Sequence, residues 1–123
     1  MAKILLIDDD NDYRSVIKKY LENADHEVIE AEDGEIGFKI CSDNHFDLII
    51  TDLFMPKMDG VHTIYKIMEE FDSPKIIAMT GACSDGRMEH LLNLAKDCGA
   101  IDEYKKGNDI NELLRKVEKI LTK

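Results

Sequence analysis

Five residues have types and spacing that could do chemistry together: Asp8, Asp9, Asp52, Thr80 and Lys106. Asp52 is the first charge after the apolar run Leu48-Ile49-Ile50, inside the stretch LIITDLFMPKMDG, and Asp8 and Asp9 follow Lys3–Ile7 in the same way. Thr80 closes the run Lys75–Met79, and Lys106 closes AIDEYKK. If these runs are neighbouring strands, their ends gather the five side chains in one place. Two carboxylates about 4 Å apart repel by roughly 4 kcal/mol even at an effective dielectric near 20, so one carboxyl is protonated or a cation sits among them. Carboxylate oxygens without imidazole or thiolate favour a hard ion, and Mg²⁺ takes one or two carboxylates while keeping waters and phosphate oxygens. A phosphoryl group is then the natural guest. Lys106 and the Thr80 hydroxyl would neutralise its equatorial oxygens, Asp52 would accept it covalently, and Gly81 would leave the pocket open to a partner or to water. Singly, each residue also has an ordinary explanation: Asp52, Pro56 and Gly60 as turn formers, Asp8 and Asp9 as the lead-in to a helix cap, Thr80 as a strand end, Lys106 as a solvated edge charge.

The elements that must position these residues are strands alternating with helices. Lys3–Ile7, Leu48–Asp52 and Lys75–Met79 are mostly apolar, which predicts strands covered on both faces, as in a parallel sheet. His26–Ala31 is half apolar, as for a strand nearer an edge, and Ala100–Lys106 is short and charged, as suits an edge strand. Tyr13, Val16, Ile17, Tyr20 and Leu21 recur at helical spacing, with Asp10 or Asn11 as N-cap. After the Asp33-Gly34 turn, Ile36, Ile40 and Cys41 mark a second helix. Val61, Ile64, Met68 and Phe71 mark a third, which stops before Pro74. Beyond a loop at Ala82–Gly86, a fourth carries Met88, Leu91, Leu92, Ala95 and Cys98, with Leu94 off its stripe and Gly99 as C′ residue. Ile110, Leu113, Leu114, Val117 and Leu121 mark the last, capped by Asn108 or Asp109, with Glu112 three residues after Asp109 as a capping box would need. Right-handed crossovers in such a sheet bring every strand's carboxyl end to one edge, where open α/β sheets bind ligands.

A chain of 123 residues is expected to form one domain, spanning 1–123. Its net charge of −10 repels phosphate backbones and anionic lipid, which argues against direct nucleic-acid or membrane partners and for cations and basic protein patches. No apolar run approaches the roughly 20 residues of a membrane span, and MAKILLIDD lacks the pattern of a signal peptide, so a cytoplasmic protein is expected. Cys41, Cys83 and Cys98 fit neither a disulfide framework nor a zinc spacing and read as small apolar residues. His26, His45, His62 and His90 belong to no motif and read as surface or boundary residues.

In this order and spacing, Asp8-Asp9, the stretch Asp52 to Gly60 (DLFMPKMDG), Thr80 and Lys106 resemble the receiver domain of two-component response regulators, over essentially the whole chain. The resemblance implies a flavodoxin-like, doubly wound (βα)5 fold of the α/β class, with a five-stranded parallel sheet of order 2-1-3-4-5 and helices on both faces. It implies that Asp52 accepts a phosphoryl group from a phosphohistidine on a sensor histidine kinase or histidine phosphotransfer protein. By the same resemblance Asp9, Asp52 and the Phe54 backbone carbonyl bind Mg²⁺, Asp8 acts largely through water, and Thr80 and Lys106 contact the phosphoryl oxygens. Such a domain is a signalling phosphoacceptor, not an enzyme with a separate substrate. It phosphorylates and dephosphorylates only itself.

Three features depart from the family pattern. Glu103 stands where an aromatic usually lies three residues before the lysine, with Tyr104 beside it, so the usual switch region is altered. Gly107 replaces the proline after the lysine, and because a non-proline cis bond costs about 3 kcal/mol, a trans peptide is expected there. The segment from Thr80 to Lys106 is longer than usual by about one helical turn, or roughly four residues.

The chain ends at Lys123, just after the last helix, and this predicts a stand-alone receiver that signals by contact with a downstream protein, as a chemotaxis-like switch or a phosphorelay intermediate. A piece cut from a longer protein would read the same. One alternative is a Mg²⁺-dependent phosphatase with an aspartyl nucleophile, like the haloacid-dehalogenase enzymes. Their general-acid Asp, two residues after the nucleophile, is Phe54 here, a loss of roughly 10²- to 10⁴-fold in rate. Another is an interaction module that does not use phosphate, with Glu103 and Gly107 as marks of a lost site; the presence of all five site residues argues against it. Apolar Phe54 and small Ala82 predict slow self-dephosphorylation. Arg14 and Lys18, on the outer face of the first helix, read as a solvated face or as kinase-docking residues.

Overall fold

Strand segments with no polar face are stable only when both sides are covered, and the chain meets that demand by winding helices onto both faces of one sheet. The computed structural model describes residues 2–55, 59–72, 74–81 and 87–122. In chain order the elements are β1 (Lys3–Ile7), α1 (Asn11–Asn23), β2 (Glu27–Ala31), α2 (Gly34–Asp43), β3 (Leu48–Asp52), α3 (Gly60–Glu70), β4 (Ile76–Thr80), α4 (Arg87–Cys98), β5 (Asp102–Lys105) and α5 (Ile110–Leu121). All strand pairs are parallel, in the order β2-β1-β3-β4-β5. The expected flavodoxin-like order is therefore observed.

Alternation along each strand divides the core in two. Leu5, Ile7, Ile49, Ile76 and Ala78 face one layer with Cys41, Ile64, Ile67, Leu92 and Ala95, so α2, α3 and α4 cover that side. Ile4, Leu6, Leu48, Ile50, Ile77, Met79 and Tyr104 face the other with Ile17, Leu21, Leu113, Val117 and Ile120 from α1 and α5.

The helices differ from their sequence stripes in width. In α1 only Ile17 and Leu21 are buried, whereas Val16 and Tyr20 are 51% and 43% exposed. Each precedes a buried residue by one position, about 100° round the helix, and that turn carries it off a narrow contact seam. Ile67 in α3 and Ile120 in α5 are buried although both fell outside the expected stripes.

Caps set the boundaries. Asp10, Asp33, Asp59 and Asp109 each accept a hydrogen bond from a backbone N–H in the first turn of α1, α2, α3 and α5. Asp33-Gly34 therefore begins α2 directly. Glu112 meets the Asn108 side-chain amide at 3.3 Å. Gly99 follows α4 with φ +127, as a C′ residue does. His26 is a boundary residue with partners: its side chain is only 6% exposed, its Nδ1 accepts from the Ala2 N–H, and its Nε2 lies 2.8 Å from Glu118 of α5.

All described peptide bonds are trans. No helix among the described residues is long and apolar enough to cross a membrane. The expected loop at 82–86, with Ala82 and Cys83, and Pro56 within the central motif lie outside the described residues.

Candidate phosphoryl site at the carboxyl edge of the sheet

Register assembles the site. Ile7 pairs with Thr51, Asp52 with Met79, and Thr80 with Lys105, so the next residue or two at each strand end meet along one edge. Asp8 and Thr80 are buried and Asp52 is 4% exposed, while Asp9 is open to solvent. One carboxylate oxygen from each of Asp8, Asp9 and Asp52 lies within 4.8 Å of the others. Lys106 reaches in from beyond β5. Its backbone N–H donates to the Thr80 carbonyl at 2.7 Å, and its Nζ stands 2.8 Å from Asp8 Oδ2 and 3.0 Å from Asp52 Oδ2.

The two buried carboxylates are held differently. Asp52 Oδ2 accepts from Lys106 and Oδ1 accepts from the Phe54 N–H at 3.3 Å. Asp8 Oδ1 accepts from the Asp10 N–H at 3.0 Å, whereas Oδ2, despite its ion pair with Lys106, is buried and accepts no directed hydrogen bond among the described residues. Burial pushes the Asp52 carboxyl up to about 6 and the Asp8 charge adds to the rise, with Lys106 offsetting only part of it. Burial alone would lower Lys106, but its contacts with Asp8 and Asp52 outweigh that and hold it above its ordinary value.

The end of the central motif is fixed by close approach. A Cβ on Gly60 would stand 2.2 Å from the Asp52 carbonyl oxygen and 2.4 Å from Leu53 Cα, so only glycine lets α3 start against the backbone that carries Asp52. The Gly60 N–H donates to the Leu53 carbonyl at 3.1 Å, which binds the two together. Phe54 is 59% exposed beside the acids. A Cβ at Gly81 would meet nothing within 4 Å among the described residues.

The altered residues of β5 part company. Glu103 pairs with Lys96 of α4, whereas Tyr104 turns to the opposite face, is fully buried, and donates from its hydroxyl to the Asn108 carbonyl at 2.6 Å. Tyr104 therefore does not fill the position on the α4 side that Glu103 holds.

Arg14 and Lys18 are not free cations. The Arg14 side chain is 12% exposed, binds Glu30 at 3.0 Å and donates to the Asp8 carbonyl, and Lys18 binds Glu30 at 3.3 Å. Arg14 thus braces the turn that presents Asp8 and Asp9. Tyr13 was legible only as part of an apolar stripe, yet the face of its ring lies 4.8 Å from Lys106 Nζ. The signal for it was its place, an aromatic in the first turn of the helix that follows the acidic pair.

A parallel sheet of this order, with buried acids and a lysine at its carboxyl edge, defines a receiver-type α/β domain. The chain belongs to the response regulator family: the family model for the response regulator receiver domain matches residues 4–118. It is 34% identical over 121 residues to the transcriptional regulatory protein CpxR of Escherichia coli (strain K12), covering 98% of this chain and 50% of that protein. It is 30% identical over 95 residues to the transcriptional regulatory protein SrrA of Staphylococcus aureus (strain NCTC 8325 / PS 47), covering 77% and 39%. The chain thus spans half or less of these curated relatives. Among solved structures it resembles the chemotaxis protein CheY4 of Vibrio cholerae, with TM-score 0.84, 27% identity, and 98% and 99% of the two chains covered. It also resembles the response regulator TrrA of Thermotoga maritima in complex with Mg(2+)-BeF, with TM-score 0.86, 31% identity, and 98% and 100% covered.

Proposed function

We propose that this receiver domain takes a phosphoryl group from a phosphohistidine onto Asp52, with Mg²⁺, and passes the signal on by protein contact. The observation that carries this reading is the Lys106 ammonium set between the buried Asp8 and Asp52 carboxylates, within an acidic cluster. An Asp52 carboxylate oxygen attacks phosphorus, an O–P bond forms and the P–N bond of the donor breaks. The imidazole leaves with the electron pair and takes up a proton. Lys106 and the Thr80 hydroxyl bind the transferred oxygens, and Asp52 starts the reaction pre-positioned by Lys106 and the Phe54 amide.

The donor set fits a hard cation. It offers oxygen donors alone, and the buried Asp8 Oδ2, which meets the Lys106 ammonium but accepts no directed hydrogen bond among the described residues, is an oxygen that a metal-bound water would satisfy. Asp9, Asp52 and the Phe54 carbonyl would hold Mg²⁺, with Asp8 acting through water. When bound, Mg²⁺ neutralises charge on the transferring group.

The phosphate donor would be a sensor histidine kinase or a histidine phosphotransfer protein, and the recipient of the signal a downstream protein. Exposed, apolar Phe54 at the lip of the site supports slow loss of the phosphoryl group. The test is site mapping. The protein is incubated with phosphoramidate, whose P–N bond mimics phosphohistidine, and then treated with borohydride, which reduces an acyl phosphate to an alcohol. Reduction at Asp52 that requires Mg²⁺ is the expected result. Reduction at another carboxylate, or the same yield in EDTA, would contradict it.

A further inference from the structure

We propose that Tyr13 is a positioning residue for Lys106, with its ring seating the ammonium that meets the phosphoryl oxygens. The proposal rests on the reading of Asp52 as phosphoryl acceptor.

Lys106 lies in a turn beyond β5, where Gly107 has φ +94 and a Cβ would meet nothing within 4 Å among the described residues. Such a turn has little intrinsic stiffness, since glycine leaves more backbone conformations open than any other residue. Its fixed points are few: the Lys106 N–H on the Thr80 carbonyl, the Asn108 N–H on the Lys105 carbonyl at 3.1 Å, and the Tyr104 hydroxyl on the Asn108 carbonyl. The Tyr13 hydroxyl lies near this turn, on the side of Tyr104 and Gly107. Two tyrosines on different elements therefore flank the turn that carries Lys106.

The ring does what the hydroxyl cannot. Lys106 Nζ has Asp8 and Asp52 oxygens at hydrogen-bond distance, and the face of Tyr13 lies 4.8 Å away. A ring face attracts a cation through its quadrupole and has no lone pair or proton to exchange. It can therefore hold the ammonium in place without competing with phosphoryl oxygens as a hydrogen-bond acceptor, as a third carboxylate would. Tyr13 is itself well founded, half-buried in α1 between the Asp10 cap and the Arg14 brace.

The experiment compares wild type, Tyr13→Phe and Tyr13→Leu. The rate of phosphorylation by acetyl phosphate at fixed donor is followed against Mg²⁺ concentration, with a urea unfolding curve for each protein. The ring effect predicts that Tyr13→Leu lowers the rate at saturating Mg²⁺ by about tenfold, within the range of a desolvated cation–π contact, and leaves the half-saturating Mg²⁺ concentration within about threefold. Tyr13→Phe, which keeps the ring, stays within about threefold of the wild-type rate. A wild-type rate in Tyr13→Leu would overturn the proposal. So would equal losses in both variants, or a fall in Mg²⁺ affinity that tracks the loss of rate, which would mark general distortion of the site. A wild type that takes no phosphoryl group would instead refute the underlying reading of Asp52.

Discussion

Asp52 ionises in an unfavourable setting. Its carboxyl is raised from 3.8 to about 6, first by burial and then by Asp8, with Lys106 compensating in part. Between those two values the folded protein keeps a proton that the unfolded chain has lost, so the cost of ionising Asp52 grows as pH rises through this window and is fully present at pH 7. In EDTA, Asp52→Asn should therefore be more stable than wild type at pH 7 by about 2–3 kcal/mol, an order-of-magnitude figure from roughly two pH units. The gain should vanish below about pH 3, where Asp52 is protonated in both states. Urea unfolding at both pH values checks this, and an equal gain at both would assign the effect to something other than charge. That the five candidate residues lie at one edge of the sheet was legible because a run of apolar residues ends where its strand ends. Tyr13 and His26 were not, because their roles depend on partners far along the chain, Lys106 for one and Ala2 and Glu118 for the other.

At the scale of elements, the site depends on how α3 sits on the end of β3. Gly60→Ala would place a methyl group 2.2 Å from the Asp52 carbonyl oxygen, and the atoms it meets are backbone, which cannot swing aside as a side chain can. We expect a loss of at least about 3 kcal/mol, at the upper end for overpacking, together with slower phosphorylation because Asp52 shifts with its backbone. Thermal unfolding and the acetyl phosphate reaction measure the two effects, and a fully stable, fully active Gly60→Ala would refute this account of the motif. Apolar spacing located all five helices but overstated the buried face of α1, since periodicity fixes the direction of a stripe and not its width. How much of the stripe is covered depends on what packs against it. Asp10 and Asp109, by contrast, were each readable as one of two cap candidates, because an N-cap acts on its own first turn, whereas Asp33 read only as a turn and Asp59 only as part of the central motif.

For the whole molecule, alternation of apolar strands and helical stripes was enough to predict a parallel sheet with its chemistry at one edge. The order 2-1-3-4-5 came from the family resemblance, because runs of Ile and Leu do not say which strand lies beside which. The fold then explains how residues as distant as Asp8 and Lys106 come to share an ion pair 2.8 Å long. The most direct test of the central claim is the intact mass of the protein after incubation with acetyl phosphate. We predict a gain of one phosphoryl group in the wild type with Mg²⁺, and no gain in EDTA or in Asp52→Ala with Mg²⁺. An unmodified wild type, or an adduct that persists in Asp52→Ala, would contradict the assignment of Asp52 as the phosphoryl acceptor.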